Sequence, residues 1–287
     1  MSRFSRKNFG NSHAYYVDGQ KIPGVTSVIG VLDKPALVSW ASETTARHAV
    51  ENWPRLTGMS MIDRFEELKK ARYAVNREAT VRGKRIHALA EKLIKGESVS
   101  TDDQSLRAAA QVYADLLDTW SLEQVLSEAS VVSYGYQYAG TLDGIFESPR
   151  LGRVIVDVKT GKRAYSEVAL QLAAYRYCDD YLEEVEQRGP RGGRLPSTWE
   201  AQPMPQVDGA VVIHIERETE DSPAAARLLP VAAGEREWSV FLWLNEIYRE
   251  WIERTGFDHR KQPTYSPPIG AELHPEMSDT EIREALQ

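Results

Sequence analysis

The run Arg153-Val-Ile-Val-Asp157-Val-Lys159 constrains this chain more than any other stretch. Its β-branched apolar residues are the kind that fill a strand buried on both faces. Strand residues two apart share a face, so Asp157 and Lys159 point one way and Val158 the other. Charges at the end of a buried strand need a reason. Two further groups flank the run. Gly140-Thr-Leu-Asp143-Gly precedes it, and Gln171-Leu-Ala-Ala-Tyr175 follows it. Gln171 and Tyr175 are four apart and share one helical face. Carboxylates and an amine gathered at a sheet edge are the parts needed to bind a hard divalent cation and activate water. Asp143 and Asp157 are the principal candidate ligands, with the Val158 carbonyl as a third and Lys159 within reach of the attacking water.

Periodicity and turn signals order the remaining elements. A hairpin over 14–23 is predicted to turn at Asp18-Gly19. Pro35 is placed to start a helix with the stripe Leu37, Trp40, Ala41 and Thr44. Residues 61–95 read as helical, with an interruption at Gly83 and a stop at Gly96. Asp102 or Asp103 caps a helix whose apolar face is Leu106, Ala109, Ala110, Tyr113, Leu116, Leu117 and Trp120. Strands are predicted over 124–134, 136–147 and 153–159. A helix then begins at Ser166 or Glu167 and reaches Tyr181. The polar segment 187–206 reads as a loop, 209–215 and 226–232 as strands, and 238–254 as an amphipathic helix before an irregular tail. The expected division is an N-terminal hairpin and helical region (1–79), a core (80–235), and a C-terminal helix with tail (236–287).

The order and spacing of these motifs resemble the PD-(D/E)XK nuclease superfamily, most closely its RecB-like exonuclease branch. The matching residues are Asp143 in Gly-Thr-Leu-Asp-Gly, Asp157 and Lys159 in Asp-Val-Lys-Thr, and Gln171 with Tyr175. Upstream, Arg82-Gly-Lys-Arg-Ile-His87-Ala-Leu-Ala-Glu91 is similar to the branch's histidine helix. The resemblance covers roughly residues 80–217. It implies an α/β, restriction-endonuclease-like core, with a mixed central sheet flanked by helices and with N- and C-terminal helical additions. The implied activity is metal-dependent DNA hydrolysis by an exonuclease, in recombination, repair or phage DNA processing. By resemblance His87 supplies an imidazole ligand, and Gln171 and Tyr175 look over the scissile region. Hard oxygen ligands favour Mg²⁺, and one imidazole makes Mn²⁺ an able substitute.

A DNA partner calls for positive charge, yet the net charge of the 287 residues is −7. The distribution is uneven. Residues 64–95 hold ten Lys and Arg against four Glu, a balance of +6, while 200–287 hold eight against seventeen acids, a balance of −9. Arg82, Lys84 and Arg85 on one side, and Lys162, Arg163 and Arg176 on the other, are candidate phosphate contacts. Arg188, Arg191 and Arg194 occupy a glycine-rich segment able to close on substrate. The acidic C-terminal region is a candidate protein-partner surface. The single cysteine, Cys178, excludes an intrachain disulfide and a four-cysteine iron–sulfur cluster, and it points to a reducing, cytoplasmic setting. No apolar run is long enough for a membrane span.

Each piece alone also has a plain structural reading. Asp143 before Gly144 is a turn acid, Asp157 with Lys159 a surface ion pair, and His87 a packed helical residue. Two rival functions stay open: a catalytically silent DNA-binding or scaffold protein that keeps the nuclease fold, and a small-molecule hydrolase or transferase with a carboxylate–metal site.

Overall fold

The structure, a computed structural model, describes residues 3–9, 12–94, 97, 101–161, 163–188, 194–216, 218–219, 222–253, 277–278 and 280–281. The chain opens with three antiparallel strands, β1 (Phe4–Phe9), β2 (Ser12–Val17) and β3 (Gln20–Ile22). Asp18 and Gly19, with φ of 49° and 81°, make the β2–β3 turn in the left-handed conformation that Asp-Gly favours. Helices α1 (Val25–Ile29), α2 (Pro35–Glu51) and α3 (Trp53–Thr57) follow. Helix α4 (Met61–Ile94) then runs unbroken through Gly83 and through the expected boundary at residue 79. A lone glycine weakens a helix by only about 1 kcal/mol relative to alanine, too little to end one that is packed on its neighbours. The expected stop at Gly96 lies outside the described residues.

Helix α2 starts at Pro35 as expected, but its stripe is only half-covered, and Leu37 is exposed. Polar contacts hold it and α3 to α4: His48 Nε2 lies 2.9 Å from Glu67 Oε1, and Arg55 grips the same carboxylate.

Helix α5 (Gln104–Trp120) is capped by Asp103, whose Oδ1 accepts the Leu106 N–H at 3.0 Å. Leu106, Ala109, Ala110, Tyr113, Leu116 and Leu117 are buried, as the spacing required. Asp103→Ala removes one cap bond and is expected to lower stability by about 1 kcal/mol. An unchanged denaturation midpoint would contradict that assignment.

The strands are β4 (Glu123–Ser127), β5 (Ser130–Ser133), β6 (Tyr138–Thr141), β7 (Gly144–Ser148) and β8 (Gly152–Lys159). Helix α6 (Glu167–Arg176), β9 (Asp180–Arg188), β10 (Arg194–Pro203), β11 (Gly209–Glu216), β12 (Ala225–Pro230), α7 (Glu235–Ile247) and a π-helical turn (Tyr248–Glu253) complete the described chain. The fold is α/β. Its central five-stranded sheet is mixed, in the order β12-β11-β8-β7-β4, with β11 parallel to β8 and the other neighbours antiparallel. A second sheet runs β10-β9-β5-β6.

Three expectations change here. The two long strands predicted over 124–134 and 136–147 are each broken, at Glu128–Ala129 and at Leu142–Asp143, and their halves join different sheets. Tyr181 lies in β9, not in the preceding helix, which stops at Arg176. The segment read as a loop contains β10, paired with β9. Strand β10 is a sheet edge, where Pro196 and Pro203 are tolerated, and a register shift falls between Leu195 and Thr198.

Alternation along β8 distributes the core. Val154 and Val156 pack with α5 residues and with Val211, Ile213 and Ile215 of β11. Ile155 packs on the opposite face with Leu172 and Ala173 of α6, Phe241 of α7 and Val28 of α1. Period two then carries Asp157 and Lys159 to the α6 side. The N-terminal sheet closes on the second sheet through Phe4, Tyr15, Val17 and Ile22 against Val132, Ala139 and Leu182.

Candidate active site

Strand β7 begins at Gly144, opposite Val156 of β8, so the last residues of β8 extend past the pairing on that side. Asp143 takes over there. Its Oδ2 accepts the Val158 N–H at 2.8 Å, satisfying a donor that the sheet leaves open. Asp143 itself sits where one long hairpin crosses from the second sheet to the central one. Two backbone bonds hold that crossing: Glu128 N–H to the Asp143 carbonyl at 3.1 Å, and Leu142 N–H to the Ala129 carbonyl at 3.0 Å. Glu128, with φ of 44°, makes the matching bend on the other strand.

Asp157 follows the buried Val154-Ile-Val and is only 2% exposed. A carboxylate so deep is tolerated only when paired and hydrogen-bonded. Lys159, two residues along the same face, brings its Nζ to 2.9 Å from Oδ1 and 2.7 Å from Oδ2. From α6, Gln171 Nε2 donates to Oδ1 at 3.0 Å. The same amide lies 3.4 Å from the hydroxyl of Tyr175, one helical turn on. The ring of Tyr175 rests against Gly140: a β-carbon there would stand 2.3 Å from Cε1. Glycine in Gly-Thr-Leu-Asp-Gly is thus explained by close packing.

Burial pushes the Tyr175 phenol well above its ordinary pKa, and nearby Tyr15, Asp143 and Asp157 add to the effect. Tyr175 therefore stays protonated and serves as a neutral hydrogen-bonding group. Tyr113 is also raised, first by burial and then by the charge of Asp143.

Asp143, Asp157, Val158, Lys159, Gln171 and Tyr175 thus meet at one end of the central sheet. Position 87 lies in α4, but the His87 side chain is outside the described residues. The helix comes close to the site, since a β-carbon on Gly83 would lie 3.2 Å from Thr160 Oγ1. Among the described residues, no three His, Cys, Asp or Glu side chains form a metal-holding group. The chain matches no protein-family model and no curated protein.

The basic candidates divide. Lys84, Arg85 and Arg163 are exposed. Arg82 instead binds the Ser105 hydroxyl at 2.6 Å, tying α4 to α5. Arg176 donates to the carbonyls of Val207 at 2.9 Å and Ala233 at 3.3 Å, fastening two loops behind α6. Lys162 and Arg191 lie outside the described residues, as do the side chains of Arg188 and Arg194.

Two neighbours of the site had no role in the sequence reading. His214, 6% exposed on β11, pairs in register with Lys159, and its Nε2 lies 2.8 Å from the Gly161 carbonyl. It steadies the turn that follows Lys159. A histidine inside Val-Val-Ile-His-Ile was a visible signal, because a polar side chain in a buried strand needs a partner. Tyr15 of the N-terminal sheet places its hydroxyl 2.9 Å from Thr141 Oγ1 and 2.7 Å from His13 Nε2. Nothing local in the sequence joins residue 15 to residue 141; the packing of one sheet on another does.

Proposed function

We propose that this chain is a divalent-metal-dependent deoxyribonuclease, an exonuclease built on a restriction-endonuclease-like core. The observation that carries the reading is the convergence of Asp143, Asp157, Lys159 and Gln171 at the end of a strand buried on both faces. With the second-sheet strands β5, β6, β9 and β10 set aside as insertions, the order α5, then β4, β7 and β8, then α6 and β11 supports it, since it follows the helix, three strands, helix, strand pattern of the PD-(D/E)XK core.

The donor set suits a hard cation. Asp143, Asp157 and the Val158 carbonyl would hold Mg²⁺, or Mn²⁺ in its stead, with His87 proposed as the imidazole ligand. Such an ion, when bound, neutralises charge on the phosphodiester and lowers the pKa of its water. A 2%-exposed carboxylate already demands a positive partner, which Lys159 supplies with its ammonium group. Lys159 would orient the attacking water, and Gln171 fixes Asp157 from α6. Tyr175, buried beside it, keeps Gln171 in line through its neutral hydroxyl. Lys84, Arg85 and Arg163 are exposed to take backbone phosphates without reading sequence.

Incubating the purified protein with end-labelled single- and double-stranded DNA tests the proposal. Degradation is expected with Mg²⁺ or Mn²⁺ and none with EDTA. DNA that is bound but never cleaved, whatever the metal, would overturn the enzymatic reading in favour of a silent binding protein.

A further inference from the structure

Helix α4 leads away from the site to a second feature. Near its start, Phe65, Leu68, Lys69 and Arg72 face small side chains of α2, between Ala41 and Ala49, across an open groove of about 610 Å³. Two of the described residues that line it are cationic and none is acidic. Phe65 is 64% exposed, a large apolar ring left at the surface. Lys69 Nζ lies 5.8 Å from the centre of that ring, and the Arg72 guanidinium lies 4.6 Å from the centre of Tyr73. Lys69 also reaches Glu66 at 3.3 Å, but an exposed pair of this kind is worth little and opens readily. Cations beside open rings suit a nucleic-acid strand, since the charges neutralise phosphates and the rings stack on bases.

The groove and the site share one side of the helix. Positions 65, 69, 72, 76, 80 and 83 follow one another by three or four, the spacing of a single helical face, and none carries an acid. Gly83 brings that face against Thr160, the residue after Lys159. Every described side chain from Arg72 to Val81 is exposed, so the face lies open along the way. At 1.5 Å per residue, Lys69 stands about 21 Å from Gly83, the rise of about six nucleotides. We propose that the substrate strand lies along this face of α4, with its cleaved end at Asp143 and Asp157 and its backbone, about five or six nucleotides away, on Lys69 and Arg72. The inference rests on the nuclease reading and extends it: the preferred substrate is a strand long enough to reach the groove.

Degradation of 4- and 12-nucleotide single strands with Mg²⁺ tests the placement, alongside fluorescence anisotropy of the labelled 12-nucleotide strand in EDTA. The parent should take the longer strand with the lower KM. Lys69→Ala combined with Arg72→Ala should raise that KM about tenfold, and the KM of the 4-nucleotide strand less. The same double variant should flatten the slope of log affinity against log salt by about 1.4. Both positions are exposed, so the fold should tolerate the change. A double variant with the parent's KM values and salt slope would overturn the track and leave the nuclease reading intact. A flattened slope with no degradation by any form would keep the track and overturn the nuclease. Equal losses on both strands would refute the stated distance from the scissile bond. Parent dimers that the double variant splits, with DNA affinity unchanged, would give the groove to a second copy of the chain instead.

Discussion

Asp157→Asn is expected to cut metal-dependent DNA hydrolysis by about a thousandfold, while stability changes by about 1 kcal/mol or less. Asparagine keeps the shape and an oxygen for the Gln171 amide, which now reaches Asp157 Oδ1 at 3.0 Å. It removes the negative charge. Lys159, with its side chain 35% exposed, can turn its ammonium to water, so no uncompensated charge stays buried. The ion pair itself was costly to desolvate, and its loss is close to neutral. Lys159→Met acts the other way. It leaves a nearly buried carboxylate without its cation, and the expected loss is about 3 kcal/mol, the lower end of the range for a half-exposed partner. Initial rates and denaturant midpoints on both variants separate the cases. Asp157→Asn activity within tenfold of the parent would remove Asp157 from the chemistry. A Lys159→Met protein as stable as the parent would mean that the carboxylate does not need the ammonium.

Gly140→Ala is the second large effect, and it acts on stability first. The new methyl would stand 2.3 Å from Tyr175 Cε1 and 3.2 Å from both Cδ1 and Cζ. The ring is 3% exposed and has little room to move. Overpacking of this kind destabilises by about 1–3 kcal/mol. Alanine's smaller unfolded-state entropy offsets part of that, about 0.4–1 kcal/mol, which leaves a net loss near the middle of the range. Hydrolysis should fall as well, because a displaced Tyr175 ring moves away from the Gln171 amide that bonds Asp157. The clash predicts its own rescue. In a double-mutant cycle, Gly140→Ala with Tyr175→Leu should lose at least about 1 kcal/mol less than the two single losses added together. A strictly additive pair would assign the glycine to backbone conformation instead.

Local physics was legible where one segment carried its own signal. Asp18-Gly19 made its turn, Pro35 opened its helix, Asp103 capped α5, and the apolar face from Leu106 to Leu117 went inward. Errors gathered where tertiary contacts outweighed local preference. Gly83 did not stop α4, and polar residues after 194 paired as an edge strand. Arg82 and Arg176, read as phosphate contacts, are no such error: they also hold Ser105 and the Val207 and Ala233 carbonyls, and a guanidinium has five N–H donors to divide. A guanidinium looks the same in sequence whether it faces a loop or a solvent cleft.

The sequence by itself determined that β8 is buried on both faces and ends in Asp157 and Lys159 on one of them, because side-chain period and β-branched composition are local properties. It determined equally that Gln171 and Tyr175 share a helical face. Only the tertiary structure decided that this face meets Asp157, that Asp143 bends between two sheets to reach the Val158 N–H, and that the N-terminal sheet reaches the site through Tyr15 and Thr141. Those contacts join residues between 14 and 126 positions apart. Their geometry depends on how sheets and helices bury their apolar faces together, which no single segment encodes.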